Sequence, residues 1–154
     1  MKLVVQRVNR AEVRVEDRTI ASIGRGLLIL LAVERGDTEA AADAAARKVA
    51  ALRIFPAPGS ERMDLAAREA GGEVLLVSQF TLAASIRRGR RPSFDAAAAP
   101  AEAEALCERF ALTLRAEGLP VATGRFGAMM EVDLVNDGPV TLWMTVSPAG
   151  EIGP

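Results

Sequence analysis

Hydrophobic positions along this chain fall mostly into short runs and period-two alternations, with two longer stretches at helical spacing between them. Residues 2–8 and 11–16 read as two strands. In the second, Ala11, Val13 and Val15 share one face, and Glu12, Arg14 and Glu16 the other. Asp17-Arg18 reads as a tight turn into a strand over 19–23. After Gly24-Arg25-Gly26, the run 27–33 has no polar face, as expected of a central strand covered on both sides. Asp37 or Thr38 can cap a helix reaching residue 52, with Ala45, Val49 and Leu52 on one stripe. Residues 53–55 close that unit, and Pro56-Ala57-Pro58-Gly59-Ser60 is a loop. Met63-Asp64-Leu65 suits a short edge strand. Gly71-Gly72 then turns the chain into a second buried run, Glu73-Val74-Leu75-Leu76-Val77.

Beyond that run the chain reads as loop, helix and strand in turn. Residues 85–94 hold the one dense basic stretch, and the Gly and Pro inside it make a loop. Pro100 opens a second helix, with Ala103, Leu106, Cys107, Phe110 and Leu114 on its apolar stripe and Gly118 and Pro120 ending it. On that stripe Cys107 is expected to be a core residue. Residues 130–134 alternate. Asn136-Asp137-Gly138-Pro139 interrupts them as a turn between two strands, and 140–146 puts Val140, Leu142, Met144 and Val146 on one face. The Gly/Pro-rich residues 147–154 read as a flexible tail. The expected architecture is α/β. It is a single domain over 1–146, built as a mixed, largely antiparallel sheet with two packed helices.

Composition narrows the chemistry more than the fold. The 154 residues are half hydrophobic, enough for a sizeable core. The longest apolar run, 26–33, is too short to cross a membrane, and the first residues lack a signal-peptide layout. With one cysteine there is no internal disulfide, as suits a reducing cytosol. The absence of histidine excludes Ser-His-Asp and Cys-His catalysis within the chain. It also leaves no ordinary zinc ligand set, so neither metal nor cofactor is expected. With a net charge of −1, any nucleic-acid contact needs a local patch.

Four features compete for a functional role. Ser78, Gln79, Phe80 and Thr81 sit where a buried strand runs out, the edge at which open α/β sheets bind ligands, although such residues also simply satisfy strand-end backbone. Arg87, Arg88, Arg90 and Arg91 form either a phosphate clamp or a solvated loop. Arg7 is an isolated cation in an apolar strand, for which a structural ion pair is the commoner explanation. Gly138-Pro139 offers mainly backbone carbonyls, with which it can read a ligand amine. Residues 124–130, with Phe126 and Met130, otherwise read as a packed strand entry.

Taken together, these residues resemble the D-aminoacyl-tRNA deacylases, the D-tyrosyl-tRNA deacylase family. The resemblance rests on Val5-Gln6-Arg7-Val8, Val77-Ser78-Gln79-Phe80-Thr81-Leu82-Ala83, Arg91-Pro92-Ser93-Phe94, Thr123-Gly124 with Phe126, and Asn136-Asp137-Gly138-Pro139-Val140-Thr141. It implies a cytoplasmic homodimer hydrolysing the ester between a D-amino acid, or glycine mischarged on tRNA(Ala), and the terminal adenosine of tRNA. Gly138-Pro139 is then a cis peptide reaching into the partner copy's site. There its carbonyls engage the α-amino group and an L side chain is rejected, a form of chiral proofreading. Ser78, Gln79, Phe80 and Thr81 line the same pocket, Arg7 holds the Gly-Pro loop, and Phe126 and Met130 match pocket positions. An aminoacyl ester is already activated, so orientation and the amides of Phe80 and Thr81 can suffice, with the ribose 2′-hydroxyl activating water. A rival mechanism makes Thr81 Oγ a nucleophile, but no base stands beside it in sequence. An RNA-end binder without catalysis and an esterase for another aminoacyl ester are the alternatives.

Overall fold

A computed structural model of the chain describes residues 1–87 and 89–153, so Arg88 and Pro154 lie outside the described residues. The first strand, β1 (Lys2–Val15), is one continuous element where two had been expected. It turns through Glu16 and Asp17, both at positive φ, into β2 (Arg18–Ile23). The mirror-image turn matches the twist of a tight hairpin. β3 (Gly26–Ala32) follows, then helix α1 (Glu39–Ala51). Thr38 is the cap, its Oγ1 accepting from the Ala41 amide. Asp37 instead accepts from the Glu34 amide and the Met1 amino group.

Residues 53–56, expected as unit end and loop, form β4 (Arg53–Pro56), paired with β5 (Met63–Ala66) in a small second sheet. β6 (Glu73–Ser78) runs parallel to β3 and ends in a 3₁₀ turn, Phe80–Ala83. Helix α2 (Pro100–Ala116) begins at its proline as expected. β7 (Val121–Thr123), β8 (Glu131–Val146) and β9 (Ile152–Gly153) complete the chain.

The main sheet runs β7-β6-β3-β1-β8-β9, with β2 alongside the far half of β1. Its two parallel pairs, β3/β6 and β6/β7, are joined through α1 and α2, because parallel neighbours need a crossover connection. Both steps move the same way across the sheet, so crossovers of one hand put both helices on the same face. The principal core lies there, with Leu3, Val5, Leu27, Ile29 and Leu76 beneath Val49, Phe110 and Leu114. The opposite face is closed by the sheet itself. β1 and β8 bend over it and with β2 bury Leu28, Leu75 and Val77 under Val13 and Ile23. The expected α/β class holds: a mixed, mostly antiparallel sheet with two helices. No helix among the described residues is long and apolar enough to cross a membrane.

Two expectations are corrected at the carboxyl end. Residues 136–139 do not turn between two strands but lie inside β8. The Gly/Pro-rich segment is not frayed as far as it is described. Ile152–Gly153 returns to pair with Thr145 and Val146, and Thr38 Oγ1 donates to the Pro148 carbonyl. Composition carries no sign of such a long-range pairing.

The helices are tied together by Asp43, which takes two 2.7 Å hydrogen bonds from Arg109 and a third from Thr113. Hydrogen bonding from Arg109 and then Thr113 holds its carboxyl well below the usual carboxylate range. As the pH falls, the unfolded chain therefore takes up this proton first. The stabilisation should be constant above about pH 4 and fade below it. Asp43→Ala should cost about 1–2 kcal/mol at pH 7 and flatten the acid limb of a denaturation series. An unchanged acid limb would count against the assignment.

Candidate functional site

Val74 to Val77 are buried in β6, and Ser78 is the first residue to leave the core. The Gln79 amide still reaches the Leu31 carbonyl at 2.7 Å. The chain then tightens into the 3₁₀ turn, where the Leu82 amide bonds back to Gln79. The first amides of any helical turn lack internal acceptors. Those of Phe80 and Thr81 find none elsewhere among the described residues. Gln79 Nε2 donates to Thr81 Oγ1 in a short contact. Among the described residues no titratable group hydrogen-bonds that hydroxyl.

Two cavities flank Ser78. One, about 320 Å³, is apolar, with Leu31, Val33, Phe80, Ala103 and Phe126 in its wall. The other, about 360 Å³, is more polar, reaching Glu104, Glu108, Arg115, Thr123 and Gly124. Ser78, Phe126 and Cys107 belong to both. Cys107 is thus a cavity wall as well as a neighbour of the core. Burial, reinforced by Glu104 and Glu108, pushes its thiol up to about 12, so it stays protonated and is no thiolate nucleophile. Met130 does not reach either wall. Its Sδ packs against Gly124, where an added Cβ would stand only 2.7 Å away.

Gly138-Pro139 is a cis peptide on an exposed bulge of β8. Gln6 pairs with Thr141 and Val8 with Asn136, so four residues of β8, Asp137 to Val140, face the single residue Arg7. The bulge is held from both faces. On one, the buried Arg7 places Nε 2.7 Å from Asp137 Oδ2 and donates through Nη1 to the Ile54 carbonyl. The Nε–H is not aimed at the carboxylate, so that contact is ionic and not a hydrogen bond. On the other, Gln6 Nε2 donates at 3.2 Å to Asn136 Oδ1 and to Thr141 Oγ1, either side of the bulge.

Register separates this bulge from the Ser78–Thr81 segment. Ser78 is level with Leu31 and, through it, with Leu3, whereas the bulge is level with Arg7. Four residues along and three strands across come to roughly 20 Å. Within one copy, the two halves that the sequence pairs do not form one pocket.

Arg87, Arg90 and Arg91 are exposed in a loop whose base is pinned by a bridge between Ser85 and Ser93. Among the described residues no acidic group pairs with them, and Arg88 lies outside that set. No cluster of three or more metal-ligating side chains occurs among the described residues. Sequence reasoning missed three features: the Gln6 clamp, the Ile54 carbonyl, and the small residues Ala97, Ala98 and Ala103 that leave the apolar cavity open. Alanine carries no chemical signal, and the other two show only once the strands are paired.

Residues 4–145 match a family model described as D-Tyr-tRNA(Tyr) deacylase. A Paracoccus denitrificans (strain Pd 1222) protein named D-aminoacyl-tRNA deacylase is 56% identical over 144 residues, covering 94% of this chain and 96% of its own. A Geobacter sulfurreducens (strain ATCC 51573 / DSM 12127 / PCA) protein of the same name is 54% identical, covering 92% of each. A solved structure described as a c-Myc DNA Unwinding Element Binding Protein superposes with a TM-score of 0.88 at 37% identity, covering 96% of this chain and 99% of that one. A second, described as a probable eukaryotic D-amino acid tRNA deacylase, reaches 0.78 at 21% identity, over 92% and 97% of the two chains. At that identity it shows the fold alone.

Proposed function

The chain belongs to the D-Tyr-tRNA(Tyr) deacylase family, and on that premise we propose that it hydrolyses the ester of D-aminoacyl-tRNA by backbone-directed catalysis. The observation that carries this reading is the pair of unpartnered amides at Phe80 and Thr81, in the turn that follows Ser78 and borders the apolar cavity through Phe80, in a chain without histidine. Both amides can donate to the oxyanion that develops on the ester carbonyl, where removing a single donor typically costs a hundredfold or more. The apolar cavity between Phe80, Ala103 and Phe126 suits the terminal adenine, and Met130 backs the neighbouring, more polar cavity through Gly124. Ser78 and Gln79 border the ester, and the ribose 2′-hydroxyl activates the attacking water. Arg87, Arg90 and Arg91 are free to take tRNA phosphates, with Arg88 in the same run.

Stereoselection in this proposal needs a second copy. The bulge with Gly138-Pro139 is too far from Thr81 in its own chain, but it is exposed and flanked by the exposed apolar residues Val135 and Trp143. A symmetric partner would bring it over the cavity, its carbonyls accepting from the α-amino group, with Arg7 fixing the loop. An L side chain would collide there, while a D side chain or glycine's hydrogen would not. Because no D side chain is read, many are accepted. Such an enzyme works in the cytoplasm, where charged tRNA is found, as a homodimer whose residues 1–146 form one catalytic unit.

Incubation with D- and L-aminoacyl-tRNA tests the reading. Free amino acid should come from the D substrate and not from the L. Release from neither would leave an RNA-end binder, and release only from small esters would leave a different esterase. Thr81→Ala should keep turnover within about threefold of the parent, because the amide donor remains. Complete loss of turnover with tRNA binding and fold intact would instead make Thr81 Oγ the nucleophile.

A further inference from the structure

The one exposed aromatic contact among the described residues lies beside the site. Phe80 and Phe94 meet edge to face, with ring centroids 5.1 Å apart. Phe80 is 57% exposed and Phe94 38%. Adjoining exposed apolar side chains, unlike single ones, mark surfaces at which something binds. Phe80 borders the apolar cavity, whereas Phe94 does not line it. Phe94 is one residue past Ser93, which closes the basic loop against Ser85. The cavity thus meets Phe80, Phe80 meets Phe94, and Phe94 stands at the base of the loop that carries the unpaired arginines.

Resting on the deacylase reading, we infer that the Phe80–Phe94 pair is a stacking platform for the nucleobase next to the terminal adenosine. The single-stranded end of the substrate must leave the cavity in some direction. Here an exposed aromatic pair adjoins, along the chain, cations with no acidic partner among the described residues. Aromatic faces next to a cationic track are how proteins hold single-stranded nucleic acid without reading its sequence, since every base has a π-face. The edge-to-face contact fixes the Phe80 ring, so little order is lost when a base arrives. The platform needs no hydrogen bond to the base and so tolerates any nucleotide at that position.

The substrate's length separates this role from simple support of Phe80. Phe94→Leu keeps apolar bulk but has no π-face, and Phe94→Tyr restores one. Each variant is assayed on D-aminoacyl-tRNA and on D-aminoacyl-adenosine, which lacks the neighbouring nucleotide. Phe94→Leu should raise KM for the tRNA about tenfold with kcat held, within the range of a base–aromatic stack. Turnover of the adenosine ester should stay unchanged, and Phe94→Tyr should recover most of the loss. Equal damage on both substrates would reduce Phe94 to a prop for Phe80 and overturn the inference, as would no change on either. A shift in self-association without a KM effect would assign the pair to contact between copies and overturn it too. Wild-type protein that hydrolyses neither substrate would overturn the deacylase reading itself, and the platform with it.

Discussion

Gly138→Ala is expected to lower D-aminoacyl-tRNA turnover roughly a hundredfold while leaving the fold intact, that being the typical cost of displacing a reacting group by an ångström. Within one copy the new methyl has room. Its nearest neighbour is Asn136 Nδ2 at 3.7 Å, an ordinary van der Waals contact, and the residue is exposed. Stability should stay within about 0.5 kcal/mol of the parent, as for surface changes generally. Across the junction the methyl stands beside the carbonyls proposed to hold the α-amino group, so it moves the substrate off its productive position. On the proposed mechanism L-aminoacyl-tRNA is rejected from the outset, so the D-to-L ratio should collapse. Parallel deacylation and thermal unfolding measure the two sides. A variant that keeps its D turnover and its discrimination would remove Gly138 from the site.

Arg7→Ala should act through stability and site together. It leaves Asp137 without its cation and the Ile54 carbonyl without its donor. Removing one partner of a buried pair costs about 3–5 kcal/mol, and the Asp137 side chain is 27% exposed, so a loss of about 2–3 kcal/mol is expected here. Gln6 still clamps the other face, so the bulge should loosen without melting the sheet. Urea denaturation of Arg7→Ala, Asp137→Ala and the double variant gives the coupling directly. Additive effects would show that the ion pair does not hold the bulge. Deacylation by Arg7→Ala, measured where it is still folded, should fall at least about tenfold from loss of orientation alone.

The sequence was most legible where one local rule decides. The apolar runs at 27–33 and 73–77 became adjacent parallel strands, Thr38 capped its helix, and Pro100 opened the other. It was least legible where distant pairing overrides a local signal. Asn136 to Pro139 has the composition of a turn. Yet Arg7 and Gln6, some 130 positions away in sequence, hold those residues inside a continuous strand. The tail has the composition of a frayed end and is drawn into the sheet by Thr145 and Val146. Ser78, Phe80 and Phe126 border cavities, and Gln79 and Thr81 follow in the same turn, because a buried strand must shed its polar residues at its end. Met130 lies behind that wall instead of on it. The roughly 20 Å between Ser78 and the Gly138 bulge could not be read from motifs at all, since it follows from strand order and register.

That separation makes a site shared between two copies the central claim, and mixing two damaged proteins tests it most directly. Gly138→Ala damages the half that a copy lends. Phe80→Pro damages the half that it keeps, removing one amide at a first helical position where proline is tolerated. Each protein alone should be weak. After subunit exchange of an equal mixture, half of the dimers are mixed, and each holds one site with both halves intact. Turnover of D-aminoacyl-tRNA should then rise to about a quarter of the wild-type value. A mixture no more active than the mean of its two components would contradict a shared site.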